Sequence, residues 1–418
     1  MTSTALIETS VRSGRLVFPS GAWSIDPTLT FLNHGSYGSV PRAVQKAQDE
    51  ARARMERDPV RFFKHDLEHL MDGVRSALGT FFNCRGADLA PVPNATVGLA
   101  TILANIDFKP GDEVLITDHE YGSLTNELER ISARMGVKVV VVPIPFPIAS
   151  QAEVAERYLA AVTPRTRIGF ISHITSATSL VFPVSTVVDE FNRRGIDIVV
   201  DGAHTPGQIQ VDLTALGATY WVGSGHKWLS APKGTGFIYV RPDRQPGFRP
   251  QALSSRANKV RPDRALFLRD FDYLGTDDYS GMLAVPTAIA TLGKLLEGGW
   301  PALMRHNHEL ALRGRDVVCK ILGVPAPAPD AMVGSMVTLP IPNPHPSMLN
   351  RPTCFDDALQ DELLNNHGVV APIWRWGPAD VRVVRMSAQL YNTTEHYEQL
   401  GQALATELAR EQRVRAVG

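Results

Sequence analysis

Gly223-Ser224-Gly225-His226-Lys227-Trp228 is the stretch on which the fold turns. It closes an apolar run, Tyr220-Trp221-Val222, and an earlier run, Asp197 to Val200, closes on Asp201. Both runs read as buried strands, each with a polar residue just past its end. That edge is where open α/β sheets bind their ligands. The spacing leaves room for one excursion and one returning strand. A buried lysine beside small residues and His226 sheds its proton more easily and becomes a nucleophilic amine. A carboxylate at a neighbouring strand end can hold a protonated ring nitrogen. Together they supply what pyridoxal 5'-phosphate (PLP) needs: a lysine for the Schiff base and an acid for the pyridinium nitrogen. Taken singly, such a lysine is a solvated loop residue and such an aspartate a turn or helix cap. The reading rests on their occurring together in these surroundings.

Working outward, strands and helices alternate from Glu113 onward. Strands are expected at 114–117, 137–142, 167–172, 197–200 and 237–240, with helices at 124–135, 152–161 and 183–194 between them. This rhythm predicts a mostly parallel sheet with helices on both faces. Upstream, 1–30 reads as an arm and Asn33-His34-Gly35-Ser36-Tyr37-Gly38 as a glycine-containing loop. Helices follow at 41–57 and 66–81. Pro93-Asn94-Ala95-Thr96-Val97-Gly98 runs from a loop into a helix. Its free backbone N–H groups and the Thr96 hydroxyl suit a phosphate, and equally an ordinary N-cap at Asn94 or Thr96. Residues 241–280 read as a long surface loop. From there the pattern changes to long helices with strands at 336–339 and 381–387. The expected organisation is an arm (1–30), a large cofactor-binding domain (31–284) and a smaller α+β domain (285–418).

The chain has 418 residues and a formal net charge of −1, with 44% hydrophobic and 20% charged residues. That is ordinary for a soluble globular protein and gives no field that would gather nucleic acid or an anionic membrane. Cys84, Cys319 and Cys354 share no ligand spacing, so neither a disulfide framework nor a metal site is expected. The charges at Glu8, Arg12 and Arg15 interrupt any signal or spanning segment, and a cytoplasmic location is expected. No Gly-x-Gly-x-x-Gly follows the first strands, which counts against a nucleotide-dependent oxidoreductase.

With Asp201-Gly202-Ala203-His204, Gly223 to Trp228 and Gly234-Thr235-Gly236-Phe237 in this order, the chain resembles the class V aminotransferase family of fold-type I PLP enzymes. Asn33 to Gly38, Asp118-His119-Glu120-Tyr121 and Ser172-His173 resemble the isopenicillin N epimerase-like branch, which includes carbon–sulfur lyases acting on cysteine conjugates. The resemblance runs from about residue 30 to 400. It implies that Lys227 carries the cofactor and moves protons at the substrate Cα, that Asp201 pairs with the ring nitrogen, and that His204 sits near the ring hydroxyl. It implies Tyr121 stacked on the ring, and Ala95, Thr96, Ser224 and His226 around the phosphate. Thr276 would reach the phosphate of the partner subunit in a homodimer with composite sites. Arg385 would grip the substrate carboxylate, a task suited to a bidentate guanidinium. Asn33, His34 and Trp374 would line the substrate side.

Simpler roles compete at several positions: His119 as a surface residue, Ser172 and His173 as strand-end caps, and Arg385 in a surface ion pair near Arg382. Ser176 and Ser179 stand where relatives carry Asn and Gly. No cysteine occurs in 368–385, where persulfide-forming relatives keep their nucleophile, so that mechanism is not expected. The segment 372–378 reads as a loop whose two tryptophans form a partly apolar wall for a bulky substrate or, equally, core positions. The expected reaction is β-elimination from an S-substituted cysteine. Epimerisation, decarboxylation with oxidative deamination, and transamination are the alternatives, and a non-catalytic PLP-fold regulator is the non-enzyme one.

Overall fold

The computed structural model describes residues 21–344, 348 and 351–417; most of the expected arm therefore lies outside the described residues. The strands are β1 (Thr30–Phe31), β2 (Leu89–Val92), β3 (Glu113–Thr117), β4 (Lys138–Val142), β5 (Thr166–Ser172) and β6 (Asp197–Gly202). They continue with β7 (Tyr220–Ser224), β8 (Gly236–Val240), β9 (Met336–Pro340), β10 (Val369–Val370), β11 (Ile373–Trp376) and β12 (Val381–Ser387).

Seven of them form the central sheet, in the order β2-β8-β7-β6-β5-β3-β4. β8 alone runs against the rest, pairing antiparallel with both β7 and β2. Every residue of β3, β6, β7 and β8 is buried, as expected of strands covered by helices on both faces. β4, at the edge, is only partly covered. Two apolar clusters fill the two sides: one around Phe191, Trp221 and Phe237, the other around Leu99, Phe170 and Val222. This is the fold-type I α/β architecture. It brings the C-terminal ends of β3, β5, β6 and β7 to one edge.

A second sheet, β11-β12-β9, is antiparallel. With the helices Gly299–Leu322, Ala358–His367 and Thr394–Val417 it encloses a separate apolar core. We propose the division into a large (31–284) and a small (285–418) domain, and two elements cross it. Leu32 buries in the small core, next to the β1–β10 parallel ladder. Helix Val285–Leu292 buries Val285 and Ala288 in the large one.

Three expectations are corrected. Residues 34–37 form one helical turn rather than a loop. Residues 241–280 hold the helix Leu266–Asp272, which buries Phe267 and Phe271 one turn apart while Asp272 pairs with Arg75 and Arg264. The Arg- and Pro-rich surroundings in 241–280 hid this short apolar face. The segment with both tryptophans is the strand β11, whose pattern was too short to stand out. Among the described residues no helix is long and apolar enough to cross a membrane.

Candidate active site

A cavity of about 370 Å³ opens at the sheet edge, within the usual range for small-molecule sites. Lys227 enters it from the turn after β7, which is fixed by Gly225 N–H donating to Thr235 O at 2.8 Å. Lys227 Nζ lies 3.0 Å from His204 Nε2. Burial pulls the lysine down to about 8; Arg385 pushes the same way and Asp201 opposes. Burial also holds His204 well below the usual imidazole range, with the Lys227 charge adding to it. Trp228 Nε1–H donates to His204 Nδ1 at 3.4 Å. A neutral imidazole accepting at Nδ1 carries its proton on Nε2, so it donates to Nζ, and only a free amine can accept. Burial thus favours the neutral forms of both Lys227 and His204.

Asp201, at the end of β6, lines the same cavity. One of its oxygens accepts from Ala203 N–H at 2.8 Å, and burial raises its pKa. A second carboxyl stands close by that the sequence reading did not single out. Glu120, buried, accepts from Ser172 N–H at 3.1 Å, Ser172 Oγ at 2.6 Å and Thr117 Oγ1 at 2.9 Å. Ser172 is the register partner of Asp201, so Glu120 clamps the exits of β3 and β5 beside Asp201. Burial pushes Glu120 up to about 7 despite these donors, and the Asp201 charge adds to the rise. Ser172 therefore does more than cap a strand. His173 is half-buried, and its backbone N–H donates to Asp201 O at 2.8 Å.

Glu120 yields a stability prediction. Its folded pKa exceeds its ordinary one, so the stabilisation is present below about 4.5 and is lost as pH rises through about 7. Glu120→Gln should remove a loss on the order of 3 kcal/mol across that window. Melting temperatures of variant and parent should diverge in their pH slopes; parallel slopes would contradict the assignment.

Helix Ala95–Ala104 begins at the cavity, which Asn94, Ala95 and Thr96 line. Asn94 caps it by accepting from Val97 N–H at 2.9 Å, which leaves the N–H groups of Ala95 and Thr96 directed out of the first turn. The N-cap is thus Asn94, and it does not occupy the N–H groups that would suit an anion. Thr96 Oγ1 donates to Ser123 Oγ at 3.2 Å, and Ser224, His226 and Lys233 line the same cavity. His226 Nδ1 lies 3.2 Å from Thr235 O. Gly38, at φ 61°, lets the 34–38 turn pass beneath the lysine loop: a Cβ there would collide with the carbonyl oxygens of His226 and Lys227. Gly38→Ala should cost at least about 1 kcal/mol from its positive φ alone. It should also displace Lys227, visible as a lowered melting temperature together with an altered cofactor spectrum; an unchanged pair would refute the close approach. Thr276 is outside the cavity of its own chain, with Oγ1 3.1 Å from Tyr273 OH.

Tyr121, half-exposed, places its ring centroid 5.9 Å from Lys227 Nζ. Next to it Arg385, 5% exposed, donates to Ser176 O and Ser36 Oγ at 2.8 Å each and to Asn33 Oδ1 at 3.5 Å. Burial lowers it to about 10. Among the described residues no carboxylate pairs with it; the ion-paired arginine is Arg382, on the other face of β12, bound to Asp357 and Glu411. A buried guanidinium without a counter-charge is an anion site in waiting. A second chamber of about 590 Å³ shares Ser36, Tyr37, Tyr121, Ser176 and Arg385 with the first and extends to Trp374, Trp376 and Cys354.

Two histidines differ from expectation. His34 does not line either chamber: it is buried, with Nδ1 2.7 Å from Tyr391 OH and Nε2 3.1 Å from Lys227 O, and supports the lysine loop from behind. Ser36 and Tyr37 line the cleft in its place. His119 is not at the surface but fully buried. Ser179 adopts φ 60°, a conformation that favours glycine, and its hydroxyl meets Thr338 Oγ1 at 2.7 Å.

The residues present fit PLP. A buried lysine of lowered pKa, a buried carboxylate, an aromatic face and a helix N-terminus with hydroxyl and cationic neighbours surround one cavity, which Arg385 also lines.

Comparison with known proteins gives the same direction. Residues 36–400 match the family model described as aminotransferase class-V. Isopenicillin N epimerase of Amycolatopsis lactamdurans is 33% identical, over 91% of this chain and 96% of its own. A probable chloroplastic L-cysteine desulfhydrase of Arabidopsis thaliana is 28% identical, over 91% of this chain and 83% of its own. Among solved structures, a cystine C–S lyase in complex with its product cysteine persulfide superposes with TM-score 0.74 at 21% identity, covering 90% of this chain and 97% of that one. The cysteine desulfurase of Thermococcus onnurineus gives TM-score 0.74 at 18% identity, covering 96% and 100%. At these identities the structural likeness speaks to the fold.

Proposed function

The chain belongs to the aminotransferase class-V family, a PLP-dependent enzyme family, and from that premise we propose that it cleaves the Cβ–S bond of an S-substituted cysteine. The observation that carries this reading is the pairing of one tuned amine, Lys227, with a large chamber beyond the unpaired Arg385. When bound, PLP withdraws electrons from the substrate Cα and so acidifies its proton.

The chain's own residues do the rest. Arg385 binds the α-carboxylate and orients the substrate. Lys227 would anchor the cofactor and would carry the Cα proton of the bound substrate. His204, 3.0 Å from its Nζ, would aim that amine. Asp201 would hold the ring nitrogen protonated, Tyr121 would cover the ring face, and Ala95, Thr96, Ser224 and His226 would hold the phosphate. Asn33 steadies Arg385 and Trp374 walls the side-chain end. The electron pair left at Cα forms the Cα–Cβ double bond as the thiolate departs. Overall, an S-substituted cysteine and water give a thiol, pyruvate and ammonia.

Epimerisation is the second reading, supported by the Amycolatopsis relative. It needs a proton returned on the opposite face of Cα. The cavity does hold a second amine, Lys233, but its Nζ is engaged with Gly38 O at 2.7 Å. Proton NMR in D₂O with S-benzyl-L-cysteine separates the two: pyruvate with an equal amount of thiol supports elimination. Recovered amino acid deuterated at Cα and inverted would replace it with epimerisation.

The proposal includes a cytoplasmic homodimer. The three cysteines are unpaired, and Thr276, lying outside its own cavity, is assigned to the partner's phosphate. Mixing Lys227→Ala with Thr276→Asp under subunit exchange should then restore activity, because a heterodimer gathers both lesions in one site. No recovery after verified exchange would return Thr276 to its own chain.

A further inference from the structure

The second chamber carries more information than its size. Its walls come from separate segments, each held in place. Trp374 and Trp376 stand two residues apart on β11, so both side chains face the chamber, while Arg375 turns the other way to Asp380 at 2.8 Å. Trp376 is braced from behind by His119, with ring centroids 4.5 Å apart. His119 cannot swing, because Nδ1 meets Thr178 Oγ1 at 2.6 Å and Nε2 meets Ile144 O at 2.9 Å. Trp374 lies 5.3 Å from the Arg385 guanidinium.

Opposite them is Phe355, 40% exposed although large and apolar. Its segment is tied down: Phe355 N–H donates to Thr353 Oγ1 at 2.9 Å, Cys354 N–H to Asp361 Oδ2 at 3.3 Å, and Asp357 caps the helix Ala358–His367 and pairs with Arg382. Fixed aromatic walls on a solvent-reached cavity are a recognition surface rather than core.

Charge narrows the ligand further. Among the described residues, Arg385 is the one cation lining this chamber, and it stands on the wall shared with the first chamber. The acids there are Glu120 and Asp356. A side chain ending in a carboxylate would leave water, meet two acids and find no free counter-charge. A neutral aromatic ring would meet indole and phenyl faces.

We propose that this chamber is the side-chain subsite and that it selects amino acids ending in a neutral aromatic group over those ending in a second carboxylate. The proposal rests on the lyase reading for the identity of the sulfur, but not for the shape or charge of the group beyond it.

Two analogues that cannot eliminate test it on the holoenzyme. One is 2-amino-5-phenylpentanoate, which replaces the sulfur of S-benzylcysteine by CH₂; the other is 2-aminoheptanedioate, which ends in a carboxylate. Calorimetric titration should show the aromatic analogue binding roughly tenfold or more tighter. Trp376→Ala and Phe355→Ala should each lose most of that advantage, with a smaller change for L-alanine, which is too short to reach the chamber. Asp356→Lys should narrow the gap from the other side by strengthening the diacid. Equal affinities in the parent protein would overturn the proposal. So would full selectivity in both aromatic variants with their cofactor spectra intact. The elimination assay run beside it keeps the two questions apart: selectivity without pyruvate ends the lyase reading and leaves the subsite, and pyruvate without selectivity does the reverse.

Discussion

Lys227→Ala is expected to abolish the visible absorbance of the lysine-linked cofactor and to lower turnover by roughly a thousandfold or more. Two roles disappear together. In the proposed mechanism the amine is both the covalent anchor and the carrier of the Cα proton. The geometry leaves no ready substitute. Lys233 lines the cavity, but its Nζ is engaged with Gly38 O at 2.7 Å. A pH series on the parent protein tests the same assignment. Only the free amine attacks the cofactor aldehyde, and Lys227 is lowered to about 8. Cofactor uptake by apoenzyme should therefore quicken as pH rises and level off above that value. An ordinary lysine would keep accelerating for about two units more. A variant that keeps the lysine-linked spectrum would move the anchor to Lys233.

Asp201→Asn has the second large effect. Cofactor retention should survive, because the helix Ala95–Ala104 and its hydroxyl and cationic neighbours sit at the other end of the cavity. Turnover should fall on the order of a hundredfold or more, since a neutral amide cannot hold a proton on the ring nitrogen while charge develops. The Glu120 carboxyl beside it does not compensate, as its oxygens are committed to Ser172 and Thr117. Near-normal turnover in Asp201→Asn would contradict the assignment.

The residues legible in the sequence share a property. Asp201, Ser224 and Lys227 follow apolar runs directly, so a parallel sheet places them at one edge whatever the details of packing. Arg385 was legible from the motif around it, and its lack of an ionic partner came only with the structure. The misjudged residues depend on contacts far along the chain. His34 turns away from the cleft because Tyr391 and the Lys227 carbonyl offer both ring nitrogens a partner. His119 is buried because Thr178 and Ile144 do the same. Glu120 sat in a quoted motif, yet its weight comes from Ser172, on a strand that pairs next to β3 only in three dimensions. The β11 strand did carry a signal in Ile373-Trp374-Arg375-Trp376, whose alternation puts both tryptophans on one face. Four residues are too few for that period to outweigh the flanking prolines and glycine.

The most direct measurement is chemical labelling. The central claim is that PLP is anchored on Lys227, between Asp201 and the Thr96 helix end. Holoenzyme reduced with borohydride and digested should yield one pyridoxyl-modified peptide, with the modification on Lys227, and prior addition of S-benzyl-L-cysteine should reduce its yield as substrate displaces the lysine. A modification on Lys233, or none on any lysine despite bound cofactor, would contradict the account.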